Sequence, residues 1–365
     1  MLRTFYLFSF TLFAGGVAAN GAIVNVTCAN STTDAATLNT AIGNSHSGDQ
    51  IQIHGICMIN ATIVLLGDRA YVGDSRTGTI LYQASGANLP AMLASDSYNF
   101  NYTYTGDPIR VAHFTIDGKR SENTGTNGLV IRSWLTVVED LEVENTPGDG
   151  IQLTNLSQNG TALTTSQVNG HISNCFVTGS GGIGIHVVDT GNSNTDWSLL
   201  DSWVASSGQS AIYMDNAAGW TVRGNHVYGV PQHGIYANNC YATTIDGNYI
   251  EEFGRAGGNT TWYGVACTLN GGSATAISGN KVFMYAPESP ASEYVYIGVP
   301  AVNYGTGEVA VNGNVIFGAG GSKDIGLSYE VNGGQGLDLL SANNNVQNVQ
   351  VPKRIGSGVT VTTGY

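Results

Sequence analysis

Apolar residues recur through the middle of the chain in short alternating stretches, each opened by a small residue and then isoleucine or valine. They read Gly150-Ile151-Gln152-Leu153-Thr154-Asn155, Gly184-Ile185-His186-Val187-Val188-Asp189, Ala211-Ile212-Tyr213-Met214-Asp215-Asn216, Gly234-Ile235-Tyr236-Ala237-Asn238-Asn239 and Gly264-Val265-Ala266-Cys267-Thr268-Leu269. Period-two alternation over so few residues predicts strands with one face buried. A second element follows them. It reads Thr221-Val222-Arg223-Gly224-Asn225-His226-Val227, then Thr244-Ile245-Asp246-Gly247-Asn248-Tyr249-Ile250, and it recurs at 276–282 and 311–315. Its asparagines, Asn225, Asn248, Asn280 and Asn314, are 23, 32 and 34 residues apart.

Such self-similarity is the mark of a solenoid. One coil of short strands cannot bury its own apolar face, whereas stacked coils form parallel sheets around a continuous interior. Gly-Asn at a fixed place in each coil predicts a sharp turn, with the Asn side chains hydrogen-bonded from coil to coil. These asparagines are therefore expected to be structural.

The repeat resembles the pectin-lyase-like superfamily of right-handed parallel β-helices, from about Ala22 to the end of the chain. The resemblance implies an all-β solenoid with a short N-terminal capping helix. Thr33-Asp34-Ala35-Ala36-Thr37-Leu38-Asn39-Thr40-Ala41-Ile42 is similar to that helix, and Gly48-Asp49-Gln50-Ile51-Gln52-Ile53 to the first strand after it. A cap is needed because a bare sheet end would pair with other chains. The fold hosts many chemistries, so function has to come from the site.

Alternation assigns a direction to each side chain. Ile151, Ile185, Ile212, Ile235 and Val265 stack inside, with Leu153, Val187, Met214, Ala237 and Cys267. Gln152, His186, Tyr213, Tyr236 and Ala266 form one outward row, and Thr154, Val188, Asp215, Asn238 and Thr268 the next. The frame of Gly128-Leu129-Val130-Ile131-Arg132 turns Arg132 outward as well. In the superfamily, ligands lie along this sheet between flanking loops.

Histidine, tyrosine, aspartate and asparagine on neighbouring coils suit a sugar. Rings can pack on its apolar faces, and polar groups can bind its hydroxyls. The expected substrate is a polysaccharide or oligosaccharide. The reading placed first is glycosidic hydrolysis or transglycosylation, with Asp189 and Asp215 as the carboxylate pair and His186 tuning them. Tyr213, Tyr236, Asn238, Gln152, His233, Asp149 and Arg132 are the expected substrate-binding residues. Gln232-His233-Gly234 is similar to the Gly-His-Gly of polygalacturonase-like hydrolases, and Gly148-Asp149-Gly150 to their Gly-Asp-Asp. A second reading is β-elimination on a uronate polymer, with His186 as base and Tyr213 as acid. No cofactor or metal is expected, except calcium in the elimination case, as the resemblance implies. A third reading is a non-catalytic carbohydrate-binding β-helix.

The N-terminus supplies the compartment. Met1-Leu2-Arg3, an apolar stretch from Phe5 to Phe13, and Val17-Ala18-Ala19 predict a signal peptide over 1–19, with one solenoid domain over 20–365. The apolar stretch is too short to span a membrane. A secreted, extracellular, monomeric glycoprotein is expected. Seven Asn-X-Ser/Thr sites agree with it: Asn25, Asn30, Asn60, Asn101, Asn155, Asn159 and Asn259. Of five cysteines, Cys28 and Cys57 flank the helix and are the expected disulfide; Cys175 and Cys267 read as buried thiols. Removing Arg3 from the 13 basic residues leaves 12 against 26 acidic ones, a net charge of −14. Such a chain is a poor partner for nucleic acid or anionic membranes.

Overall fold

The computed structural model describes residues 21–363 apart from 273 and 288, so the predicted signal peptide lies outside the described residues. Short strands wind into a right-handed parallel β-helix with three faces. Two faces merge into one 23-stranded sheet, because the strand Gln50–Ile59 bends from one into the other. The third face is a separate sheet of 11 strands. It carries all five stretches that opened the sequence analysis, and it is called the groove sheet here.

Register in the groove sheet follows the alternation. Ile151, Ile185, Ile212, Ile235, Val265 and Ile297 are paired in sequence and almost wholly buried. Slipping one strand by a residue would turn its apolar set to solvent, so burial on one face pins the register. The outward partners run Val130, Gln152, His186, Tyr213, Tyr236, Ala266, Gly298, Ser328 and Arg354.

The Gly-Asn turns form the expected column. The Asn225 amide nitrogen donates to Asn248 Oδ1 at 3.0 Å, Asn248 to Asn280 Oδ1 at 2.9 Å, and Asn280 to Asn314 Oδ1 at 3.0 Å. The column runs one coil further, to Asn344 at 2.9 Å. In the other direction the Asn225 Oδ1 accepts from the Ser202 backbone at 3.1 Å. The residue before each Asn turns through the left-handed region, with Gly224 at φ 69° and Gly247 at φ 64°. Glycine meets that demand without a Cβ penalty, and Asp201 and Asn343 meet it elsewhere in the column.

The N-terminal end is closed by α1 (Asp34–Asn44), which buries Ala35, Leu38 and Ile42. Asp34 ties it down, accepting from Ala29, Ser31 and Met58 backbone N–H groups at 2.8–3.0 Å. Burial acts to raise its pKa, but these hydrogen bonds outweigh it and hold the carboxyl below the ordinary value. Cys28 and Cys57 form a disulfide across the same cap. A second disulfide, Cys240–Cys267, corrects the expectation that Cys267 is a thiol. Adjacent coils bring the two within a Cα–Cα distance of 6.1 Å, although 27 residues separate them in sequence. Cys175 is the buried free thiol.

One glycosylation expectation also needs correcting. Asn25, Asn30, Asn60, Asn159 and Asn259 are exposed and Asn101 is half-buried, but Asn155 is only 1 % exposed. Its amide bonds Thr190 on the next coil, which leaves no room for a glycan in the folded chain. Among the described residues no helix is long and apolar enough to cross a membrane.

Candidate functional site in the groove

His186 stands on the strand Ile185–Val188 and points away from the core. Its Nδ1 lies 2.6 Å from Asp149 Oδ2, and the two side chains are 19 % and 15 % exposed. A carboxylate can only accept here, so Nδ1 carries the proton and Nε2 is left as the free acceptor of the neutral ring. Asp149 is itself fixed. Its Oδ1 accepts from the Ile183 backbone at 2.8 Å, and its Oδ2 from Gln152 Nε2 at 3.3 Å. A Cβ on Gly182 would fall 2.3 Å from Asp149 Oδ1, so glycine is required for this approach. Asn127 completes the support, accepting from the Asp149 backbone at 2.9 Å and donating to Gln152 Oε1 at 3.3 Å.

One coil on, Tyr213 meets His186 edge-on with ring centroids 6.0 Å apart. Asn238 Nδ2 donates to the Tyr213 hydroxyl at 3.0 Å, so that oxygen accepts and its own proton remains free to donate. Tyr213 and Tyr236 lie face to face, 5.4 Å apart and within 6° of parallel. Each therefore covers the other's face and presents its edge and hydroxyl to the groove. The expectation of two flat platforms for sugar faces is corrected by this stacking.

His233 does not join His186. It sits among Tyr236, Trp262 and Tyr263, with ring centroids 4.6–5.6 Å away. Its Nδ1 accepts from the Tyr263 backbone at 3.1 Å. Burial lowers its pKa to about 4, so it is neutral at ordinary pH and holds an aromatic cluster together.

The expected carboxylate pair is not presented as a pair. Asp189 is 2 % exposed, and its oxygens accept from the Gly191 and Asn194 backbones at 3.0 and 2.7 Å. It closes a turn, as aspartate does readily. Asp215 is half-buried beside it, accepting the Asp189 backbone N–H at 3.3 Å.

Arg132 is not a groove residue either. It leaves the sheet outward, as alternation demands, but is fully buried beneath two loops. Its guanidinium donates to the carbonyls of Ser97, Tyr102 and Thr161 at 2.7–3.0 Å. Burial pulls its pKa down to about 10, which leaves it charged at neutral pH.

Several residues of the groove were not legible beforehand. Tyr263 leans over Gly298, whose Cβ would meet its ring at 2.8 Å. Beyond it Arg354 pairs with Glu293 at 2.8 Å and with Glu330 at 2.9 Å. The strand Val351–Ile355 lacks the Gly-Ile opening of the repeat, so only its register places Arg354 in the outward row. Asn194-Thr195-Asp196 spells the Asn-Thr-Asp of polygalacturonase-like hydrolases, but Asn194 and Thr195 pair with Gln167 and Val168 in a separate two-stranded sheet. Among the described residues no group of three or more His, Cys, Asp or Glu is placed to hold a metal ion.

No family model and no curated protein sequence matches the chain. Solved structures do. The A-module of the Azotobacter vinelandii mannuronan C-5 epimerase AlgE6 superposes with a TM-score of 0.59 at 12 % identity, covering 92 % of this chain and 97 % of that one. This chain has the right-handed parallel β-helix fold. The catalytic domain of a GH87 α-1,3-glucanase, in complex with nigerose, gives a TM-score of 0.59 at 16 % identity, covering 96 % and 69 % of the two chains. An alginate lyase from Paenibacillus sp. FPU-7 gives 0.53 at 12 % identity, covering 93 % and 99 %. At these identities the likeness is one of fold.

Proposed function

We propose that this chain is a secreted, polysaccharide-active enzyme that cleaves a uronate polymer by β-elimination at His186 and Tyr213. The observation that carries this reading is the 2.6 Å contact between Asp149 and His186 beside the Tyr213 ring. The carboxylate fixes one ring nitrogen as donor, so the other is a base aimed at the groove. Nε2 takes the proton from the sugar carbon next to the carboxyl group. That electron pair forms the ring double bond, and the neighbouring glycosidic C–O bond breaks. The departing oxygen takes the Tyr213 proton, and solvent restores both groups.

The substrate carboxylate has to be relieved of charge before its α-proton is acidic enough. Gln152 and Asn238 flank the dyad and offer amide N–H groups for this, acting as neutral donors rather than as a cation. Among the fold neighbours, an alginate lyase and a mannuronan C-5 epimerase are named for uronate substrates.

The test is a panel of uronate and neutral polysaccharides with purified protein. The expected result is ultraviolet absorbance of an unsaturated uronate rising in step with new reducing ends. Reducing ends without absorbance would replace elimination by hydrolysis and return attention to Asp215.

A further inference from the structure

The groove is covered at one end by a bound segment of the chain. Following the outward row upstream from His186, Gln152 is half-exposed, whereas Val130 and Ala94 are wholly buried. The cover is α2 (Asp96–Asn99), whose Tyr98 packs on Ala91, Ala94 and Val130. The loop after α2 is bound to the loop that follows Asn155. Thr164 donates its backbone N–H to Thr103 at 2.7 Å, Asn159 to Asn101 Oδ1 at 2.9 Å, and Gln158 to Tyr98 at 3.1 Å. Arg132 lies under both loops and bonds both, through Ser97 and Tyr102 on one side and Thr161 on the other. A buried cation with that many carbonyl acceptors is costly to displace, so the cover is a fixed part of the fold.

The opposite end differs. Beyond Tyr236 the outward residues Ala266, Gly298 and Ser328 are buried too, but the groups beside them are half-buried side chains rather than bound loops: Tyr263 against Gly298, and Arg354, paired with Glu293 and Glu330, against Ser328. Coils are about 4.8 Å apart. His186 is therefore about 5 Å from the last open position and about 10 Å from buried Val130.

We infer that the groove takes a polymer by its end, with one or two sugar units lying between His186 and the wall. Building on the reading above, this makes the enzyme one that releases short products from one chain terminus rather than cutting at random. The residues that set this specificity are Tyr98 and the loops held by Arg132.

The experiment uses defined uronate oligomers of ten or so units, each carrying a bulky group on one end or the other. Wild-type protein is expected to yield one short product from the first turnovers. Polymer viscosity should fall slowly relative to new ends. A block on the end facing the wall should slow turnover at least ten-fold, and a block on the other end should change it little. Fast viscosity loss with mid-length products would overturn the closed end while leaving the elimination reading intact. If no uronate is turned over, calorimetry with the same end-blocked series, extended to neutral oligosaccharides, decides separately. Loss of binding on blocking one end alone sustains the closed groove without the chemistry, whereas equal binding of both blocked forms, or no binding, overturns it. In a folded Arg132→Leu variant, judged by circular dichroism, longer products are expected to appear.

Discussion

At the scale of single residues, the groove separates groups that resemble each other in sequence. His186 and His233 each lie within two residues of a glycine that opens a groove strand, yet one faces the groove on a carboxylate and the other is enclosed by rings. The roles proposed for His186 and Asp149 give a sharp expectation. Asp149→Asn keeps the shape but can donate to Nδ1, which favours the wrong tautomer. Turnover is expected to fall by roughly 10²–10⁴-fold with little change in KM, and Tyr213→Phe by a comparable factor. Asp215→Asn should be mild. Steady-state kinetics on a cleaved uronate read all three, and an inactive Asp215→Asn beside an active Asp149→Asn would reverse the assignment.

His233 bears on stability rather than rate. Its folded pKa, about 4, lies below the ordinary 6.5, so the unfolded chain takes up the proton first as pH falls. Its contribution is present in full above pH 6.5 and is lost progressively as pH falls toward 4. The loss is on the order of 2–3 kcal/mol. Urea unfolding across that range should show it, and a His233→Gln variant should flatten that part of the profile.

At the scale of elements, each coil adds one strand to each face and one turn to each column, so the energetics are those of nearest neighbours. Asn248 illustrates the cost of removing one rung. It is fully buried, donates to Asn280 Oδ1 and the Val222 carbonyl, and accepts from Asn225. Asn248→Ala removes the acceptor of the Asn225 side-chain and backbone N–H groups and the donor to the Val222 carbonyl, and is expected to cost about 2–4 kcal/mol in chemical denaturation. Exposed Asn345, two residues past the last turn, donates no such rung, and Asn345→Ala should be near neutral. Aromatic columns obey the same coil-to-coil logic. On another face Trp203 stacks on His226 at 5.1 Å and His226 on Tyr249 at 4.8 Å, again showing edges rather than faces to solvent.

At the scale of the whole molecule, burial decides which chemical signals in the sequence are available to solvent or enzymes. Glycopeptide mapping of protein expressed through a secretory host is expected to find modification among Asn25, Asn30, Asn60, Asn159 and Asn259 and none at Asn155. A glycan on Asn155 would mean that the loops over the groove's upstream end are packed differently from the arrangement described here.

The chain's own pattern determined the solenoid, the strand faces, the inward rows and the Asn column, because all of these follow from local alternation and turn chemistry repeated coil after coil. Even so, the column's last rung, Asn344, went unread because Asn343 stands where the other turns have glycine. The site was only partly legible. His186 and Tyr213 belong to one row and could be placed from alternation alone, as could the outward direction of Arg132. What alternation cannot report is what lies on top of a strand. Only the tertiary structure decided that Arg132 is covered, that Asp189 is spent on its own turn, and that Tyr213 and Tyr236 screen each other. Asp149 and His186, 37 residues apart, meet because consecutive coils stack about 5 Å apart and a glycine at 182 lets the carboxylate in. Loops between strands have no period, so the cover that closes one end of the groove is written in packing and hydrogen bonds between segments some 60 residues apart, such as Thr103 and Thr164.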